Sequence, residues 1–397
     1  MAQRQDRAPR WLLLVAVLVV AVNLRPAIAA VGPVLPVIAD DLQLGGLALG
    51  LLSALPVIVF ALASYGVHRI IGRFGVERTT TLCLIVLTVA TLLRSWPGPE
   101  ANLWIGTILI GAAIAVGNVT LPVIVKQDFP DSTPLVTGIY VAVLSLFAGL
   151  AAALAVPLAA ASTLTWRLSL GAWALVTVVA LLAWLPRDLR SPPAGASSVT
   201  PAEHSHSDRS RLWRTPAAWR LSAYMGVQSC AFYVVLNWLP SVEQEFGVAP
   251  STAGWHMLGL QMMAFVGNMV APVLMRVGRD ERFIATLPGV FLLTGSLGML
   301  LAPGAVLLWV GVLGLGTGSA FVVSLTLISM RAGDLRTAPQ LSAMAQSVGY
   351  AIAASGLLLS GGLHPLGGEA VLLVIAAVGT ATAVLGQFVG RRRTITA

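Results

Sequence analysis

The sequence predicts an all-α membrane protein: twelve transmembrane helices in two six-helix pseudo-symmetric bundles. Three observations predict it: a shortage of charge, apolar runs of span length along the whole chain, and an internal repeat. Hydrophobic types make up 57% of the 397 residues and charged types 10%. Soluble domains carry about a quarter charged residues, so most of this surface must face something other than water. Runs of roughly 20 apolar residues, enough to cross about 30 Å of hydrocarbon, recur from end to end.

The expected spans are 11–38, 47–67, 79–95, 102–125, 134–158, 166–185, 217–240, 252–275, 283–302, 304–330, 338–362 and 369–389. The first follows Arg4, Arg7 and Arg10, and Ala27-Ile28-Ala29 has the look of a cleavage site. Apolar character nevertheless continues past Arg25 to Ile38, and many spans follow, so it reads as an uncleaved helix. Between the sixth and seventh spans lies a polar stretch rich in Pro and Ser, which reads as a linker. Its His204 and His206 fit a solvated segment better than a metal site. The expected organisation is an N-terminal bundle over 1–190, a cytoplasmic linker over 191–214 and a C-terminal bundle over 215–397.

Charge orients the chain. With both termini cytoplasmic, every Lys and Arg except Arg25, Arg94, Arg167 and Arg220 falls at an inside segment. Outside loops collect Asp40, Asp41, Glu100, Glu243, Glu245 and Glu369. This is the positive-inside pattern, and it accounts for the net charge of +8 without nucleic acid; the expected location is the cell inner (plasma) membrane. Cys83 and Cys230 lie in separate apolar runs and suggest no disulfide framework.

The halves match at an offset of about 204 residues. Leu35-Pro36 aligns with Leu239-Pro240, and Arg73-Phe74-Gly75 with Arg276-Val277-Gly278. Each triplet of the second pair leads to a Glu-Arg pair, Glu77-Arg78 or Glu281-Arg282. Gly111 to Lys126 aligns with Gly316 to Arg331. Six spans per repeat give both repeats one orientation, an architecture known among secondary transporters.

Arg25 is the most informative residue. A cation near mid-span costs from a few to over ten kcal/mol, so it should face the bundle interior. All sixteen acids fall in expected loops, termini or span edges, so no in-membrane carboxylate is there to pair with it. An anionic or electron-rich solute is the favoured partner; backbone carbonyls are the alternative. Neutral polar residues at similar depth complete a candidate substrate site: Asn23, Asn118, Tyr140, Gln228, Tyr233, Asn237, Gln261 and Gln346. Amides are costly against lipid and should turn inward. Tyr350 joins them. Pro26, Pro33, Pro36, Pro56, Pro122, Pro157, Pro240 and Pro272 interrupt spans, as ordinary kinks or as bends along a cavity. His256 and His364, near span ends, read as packed histidines. No nucleophile triad, phosphate loop, metal cluster or cofactor motif supports an enzyme.

Asn23-Leu24-Arg25-Pro26-Ala27-Ile28, with Gly32-Pro33-Val34-Leu35-Pro36, resembles the first helix of the cyanate permease/nitroimidazole exporter family of the major facilitator superfamily. Gly117-Asn118-Val119-Thr120-Leu121-Pro122, Val125-Lys126-Gln127-Asp128-Phe129-Pro130 and Leu341 to Tyr350 are similar to it as well. The resemblance implies the major facilitator fold and transport of a compact solute such as cyanate, a small carboxylate or a nitroimidazole. It departs from the wider superfamily at Gly72, where an Asp usually precedes the Arg-x-Gly. Alternating access then places substrate at Arg25 and leaves Arg73, Arg78, Arg276 and Arg282 as a cytoplasmic gate. The expected partners are a small solute and the bilayer, with a coupling proton open and a monomer expected. A multidrug-type efflux carrier of larger apolar compounds is the competing reading. A non-transporting membrane sensor is the other, and it would need an output domain.

Overall fold

The computed structural model describes residues 9–190, 212–277, 281–331 and 337–391. Most of the expected linker, with His204 and His206, lies outside the described residues, as do Arg4, Arg7, Arg209, Arg211, Arg279, Arg336, Arg392 and Arg393. Among the described residues the chain is helical and no strand occurs. The first half comprises α1 (Arg10–Ala21), α2 (Pro26–Ala29), α3 (Val31–Leu42), α4 (Gly46–Phe74), α5 (Val76–Ser95), α6 (Ala101–Asp128), α7 (Thr133–Ala160), α8 (Trp166–Gly171) and α9 (Trp173–Arg190). The second comprises α10 (Pro216–Glu245), α11 (Pro250–Val277), α12 (Glu281–Leu301), α13 (Val306–Arg331), α14 (Thr337–Leu363) and α15 (Gly368–Val389).

Among the described residues, eleven helical stretches are long and apolar enough to cross a membrane. The 30-residue α10 is not among them, yet its length is consistent with a twelfth crossing. It carries Ser222, Gln228, Ser229 and Asn237, all buried, which lowers its hydropathy because it is shielded from lipid by other helices. The third span, α5, shows the bilayer pattern plainly. Leu82, Ile85, Val89 and Leu92 form an exposed stripe at helical spacing, while Thr80, Thr88 and Thr91 are buried. Each of these threonine hydroxyls donates to the carbonyl four residues back, at 2.7–2.9 Å. Apolar outside and polar inside is the reverse of a soluble helix.

Four features depart from the sequence reading. The first span is broken, not continuous: α1 stops at Ala21 and turns through 22–25 before α2. Pro26 lacks an N–H and its ring crowds the preceding turn, so Arg25 leaves helical geometry at φ −125°. The sixth span is divided between α8 and α9. Glu243 and Glu245, expected in an outer loop, lie in the last turn of α10, and Glu243 is fully buried. Leu212, expected in the linker, is buried with Tyr224, Met225 and Leu341.

With α10 counted beside the eleven, an even number of crossings returns the chain to the face where it began, here called the terminal face. The halves meet along three seams, α3 with α10, α4 with α14, and α7 with α11. Glycine makes each seam close. A Cβ on Gly32 would stand 2.7 Å from the Leu236 carbonyl oxygen, on Gly361 2.5 Å from that of Gly46, and on Gly254 2.8 Å from that of Ala152. These positions all lie in the part of each helix remote from the terminal face. One continuous apolar cluster crosses the seams there, joining Leu35, Ile38 and Leu52 to Leu239, Val242 and Leu357. A second cluster belongs to the second half alone, on its terminal-face side. The halves are therefore locked together at the face opposite the termini.

Ion pairs near the terminal face join helices within a half. Arg187 grips Asp128 at 2.5 and 3.1 Å and reaches Glu77 at 3.4 Å. In the second half Arg331 pairs with Glu281 and donates to the Val389 carbonyl at 3.3 Å. Glu77 and Glu281 are repeat equivalents, but their arginines come from different helices. The Arg73-Phe74-Gly75 motif is a tight reversal between α4 and α5. Gly75 sits at φ +82°, where a side chain would be strained.

Candidate functional site

Between the halves lies a cavity of about 310 Å³. It runs from the break in the first span toward the terminal face, past Thr137, Asn268 and Leu325. Arg25, Asn118, Tyr140, Gln228, Tyr233, Gln261 and Gln346 all line it. Seven expected site residues from six helical spans thus line one cavity. Asn23 and Asn237 do not. Each is spent on its own helix, donating to the Val19 carbonyl at 2.8 Å and the Tyr233 carbonyl at 2.9 Å.

Arg25 projects from the one turn where the first span cannot continue. Its guanidinium lies over the Phe232 ring, 5.1 Å from the centroid. Such a contact contributes about 0.5–2 kcal/mol, less than a cation at this depth costs. Among the described residues, no carboxylate lines the cavity. The guanidinium places a positive charge in the cavity.

Around it stand neutral hydrogen-bonding groups. Gln228 donates to the Met225 carbonyl at 3.1 Å and to Ser229 Oγ at 2.8 Å, and its own carbonyl oxygen has no protein partner. The side-chain carbonyl oxygens of Gln261 and Asn268 are likewise buried without a protein partner. These amide oxygens can accept hydrogen bonds from a solute. Gln346 is steadied by Ser342 Oγ at 3.0 Å. Two edge-to-face aromatic pairs shape the walls, Phe60 with Tyr350 at 5.7 Å and Phe232 with Tyr233 at 5.1 Å. One fixed cation, several neutral donors and flat aromatic faces suit a compact solute that is anionic or carries a polarised group.

Asn268, Thr317, Ser229, Phe60 and Phe232 also line the cavity and were not anticipated. Asn268 had a usable signal, an amide inside an apolar run, the criterion that found Gln261. The phenylalanines had none, because an aromatic in a span faces lipid or cavity with equal ease. The expected gate residues lie apart from the cavity. Arg73, Arg78 and Arg282 are exposed, Arg73 lying against the Phe74 ring, and the side chain of Arg276 falls outside the described residues. Glu243, fully buried, accepts from or donates to His256 Nδ1 at 2.6 Å, joining α10 to α11 near the sealed face.

Comparison with known proteins agrees with this geometry. Residues 13–354 match the Major Facilitator Superfamily. The uncharacterized transporter YycB of Bacillus subtilis is 35% identical, covering 97% of this chain and 94% of its own. The 2-nitroimidazole transporter of Escherichia coli is 32% identical over 97% of each chain. The cyanate transport protein CynX of Escherichia coli is 29% identical over 90% of this chain and 91% of its own. Among solved structures, the D-xylose-proton symporter superposes with a TM-score of 0.74 over 97% of each chain at 13% identity. The nucleoside transporter NupG gives 0.75 over 95% of this chain and 98% of its own at 11% identity. The chain belongs to the major facilitator superfamily, within the cyanate permease/nitroimidazole exporter group. It is a multi-pass membrane protein and a secondary transporter of small solutes, not an enzyme.

Proposed function

We propose that the protein carries a compact anion, or a small solute with a polarised nitro or carboxylate group, across the inner membrane by alternating access. The uncompensated Arg25 charge in the cavity between the halves carries this reading. The similarity to proteins named for 2-nitroimidazole and cyanate points to the same chemistry. A volume of about 310 Å³ is at the small end of ligand pockets and disfavours bulky drugs. Asn118, Tyr140, Gln228, Tyr233, Gln261 and Gln346 supply hydrogen bonds, joined by Asn268. Asn23 and Asn237 shape the backbone near the site instead of touching solute.

The halves 1–190 and 215–397 rock about this site, tethered through 191–214. With the basic terminal face cytoplasmic, the seams seal the outside and the cavity belongs to an inward-facing state. Arg73, Arg78, Arg276 and Arg282 then act in the opposite state, when the cytoplasmic side closes. The carrier works as a monomer, its cavity lying between the two halves of one chain. The test is binding of cyanate, nitrate, a small carboxylate and 2-nitroimidazole to purified protein, with Arg25→Ala alongside. Binding of one of them, lost in a folded Arg25→Ala protein, supports the site. Unchanged binding removes Arg25 from it.

A further inference from the structure

A second arginine is buried far more completely than Arg25. Arg94, in the last turn of α5, is 2% exposed. Its Nη1 donates to the Ala27 carbonyl at 2.7 Å, inside the broken first span. Its Nε and Nη2 are buried, with no protein partner among the described residues. Among the described residues no carboxylate lies within ion-pair reach of it. Arg94 lines a small cavity separate from the substrate cavity, together with Ser53, Thr107 and Asn237. The Ser53 hydroxyl there is also buried and without a protein partner. The cavity measures about 10 Å³, room for a single water-sized species.

A buried charge is normally paired or neutralised, and an arginine cannot shed its proton in proteins. A water molecule can satisfy the hydrogen bonds but leaves the charge uncompensated. A monatomic anion satisfies both. We propose that this cavity binds one chloride-sized monovalent anion, held by Arg94 Nε and Nη2 and by the Ser53 hydroxyl. The site neighbours the substrate cavity, with Ile28 lining both. Ala27 and Asn237 line it from the two halves, so the bound anion sits beside the α3–α10 seam.

The test uses the full-length protein in detergent, with chloride replaced stepwise by gluconate at constant ionic strength. Gluconate is too large for the cavity. Binding to the folded state alone raises stability with saturation as ligand increases, so Tm is expected to rise saturably with chloride. Arg94→Gln removes the charge and leaves an amide near the position of Nε, and its Tm is expected to be indifferent to the exchange. Arg25→Gln is expected to keep the chloride response; its loss there with retention in Arg94→Gln would move the anion to the substrate cavity and overturn the assignment. Should Arg94→Gln fail to fold, bromide-soaked crystals of the unsubstituted protein decide the matter. An anomalous peak in hydrogen-bond reach of Arg94 and Ser53 is expected. Its absence, or equal Tm in chloride and gluconate, overturns the proposal.

Discussion

Gly361 offers a way to push the protein out of the state described here without touching the substrate cavity. Its Cα faces α4 across the seam between halves. A Cβ added there would stand 2.5 Å from both the Gly46 carbonyl oxygen and the Gly50 Cα, where ordinary contact begins at 3.4 Å. Both obstacles are backbone and cannot rotate away, so α4 and α14 must part by about 0.9 Å, the difference of the two distances. Overpacking of this size costs about 1–3 kcal/mol. The cost falls only on the conformer in which the seam is closed. The chain escapes it by rocking the halves apart, since a perturbation shifts two states by its differential energy. The Gly361→Ala variant should therefore favour the opposite conformer by about 5- to 150-fold. Spin labels at Leu47 and Leu366, exposed at the sealed face on opposite halves, report the change. The distance distribution is expected to gain a longer component in Gly361→Ala. Gly45→Ala is the control, because a Cβ there meets nothing within 4 Å. An unchanged distribution in folded Gly361→Ala would refute the claim that the glycine seams hold this face shut.

The other predictions concern stability and affinity. Glu281→Gln strands the buried Arg331 charge and should destabilise the protein by about 3–5 kcal/mol, read as a lowered Tm in detergent. Asp41 lies outside the membrane-spanning stretches and accepts from the Trp166 indole at 2.9 Å and from Arg167 at 2.7 Å. These bonds hold its carboxyl below the ordinary value. A lowered carboxyl contributes stability above its unfolded pKa of about 3.9 and loses it as pH falls through the folded value. Tm should then drop below about pH 4, and Asp41→Asn should remove that part of the acid dependence. Arg25→Lys keeps the charge but loses the planar fork, and it should bind the solute more weakly than the parent yet more tightly than Arg25→Ala, by titration calorimetry.

The spans were legible because bilayer thickness imposes a length and lipid excludes charge. Asp41 and Arg167, far apart in the chain, could be placed on one face by counting crossings alone. Arg25, Gln228 and Gln346 were legible for the same reason, since a polar group inside an apolar run must turn inward. The break at Pro26 could be suspected but not located, because a proline either kinks a helix or ends it. Glu243 was misplaced because a carboxylate near a span end reads as a loop, and only its contact with His256 draws it inside. The partners of Arg331 and Arg187 lie 50 to 110 residues away, and pairing at that range is set by helix packing. Arg94 stood out as a basic residue on the wrong side of the charge pattern, but its burial depends on the exact end of α5. Boundaries of that kind are the least readable feature of a sequence.

The role of Arg25 is tested most directly by uptake into proteoliposomes of whichever solute the purified protein binds, comparing the parent with Arg25→Ala. Loss of a charge-assisted contact worth about 1.5–3 kcal/mol predicts uptake reduced roughly 10- to 150-fold at low solute concentration, with Arg25→Ala still folded. Equal uptake by the two proteins would show that Arg25 is a strut in the first span and that solute passes without it.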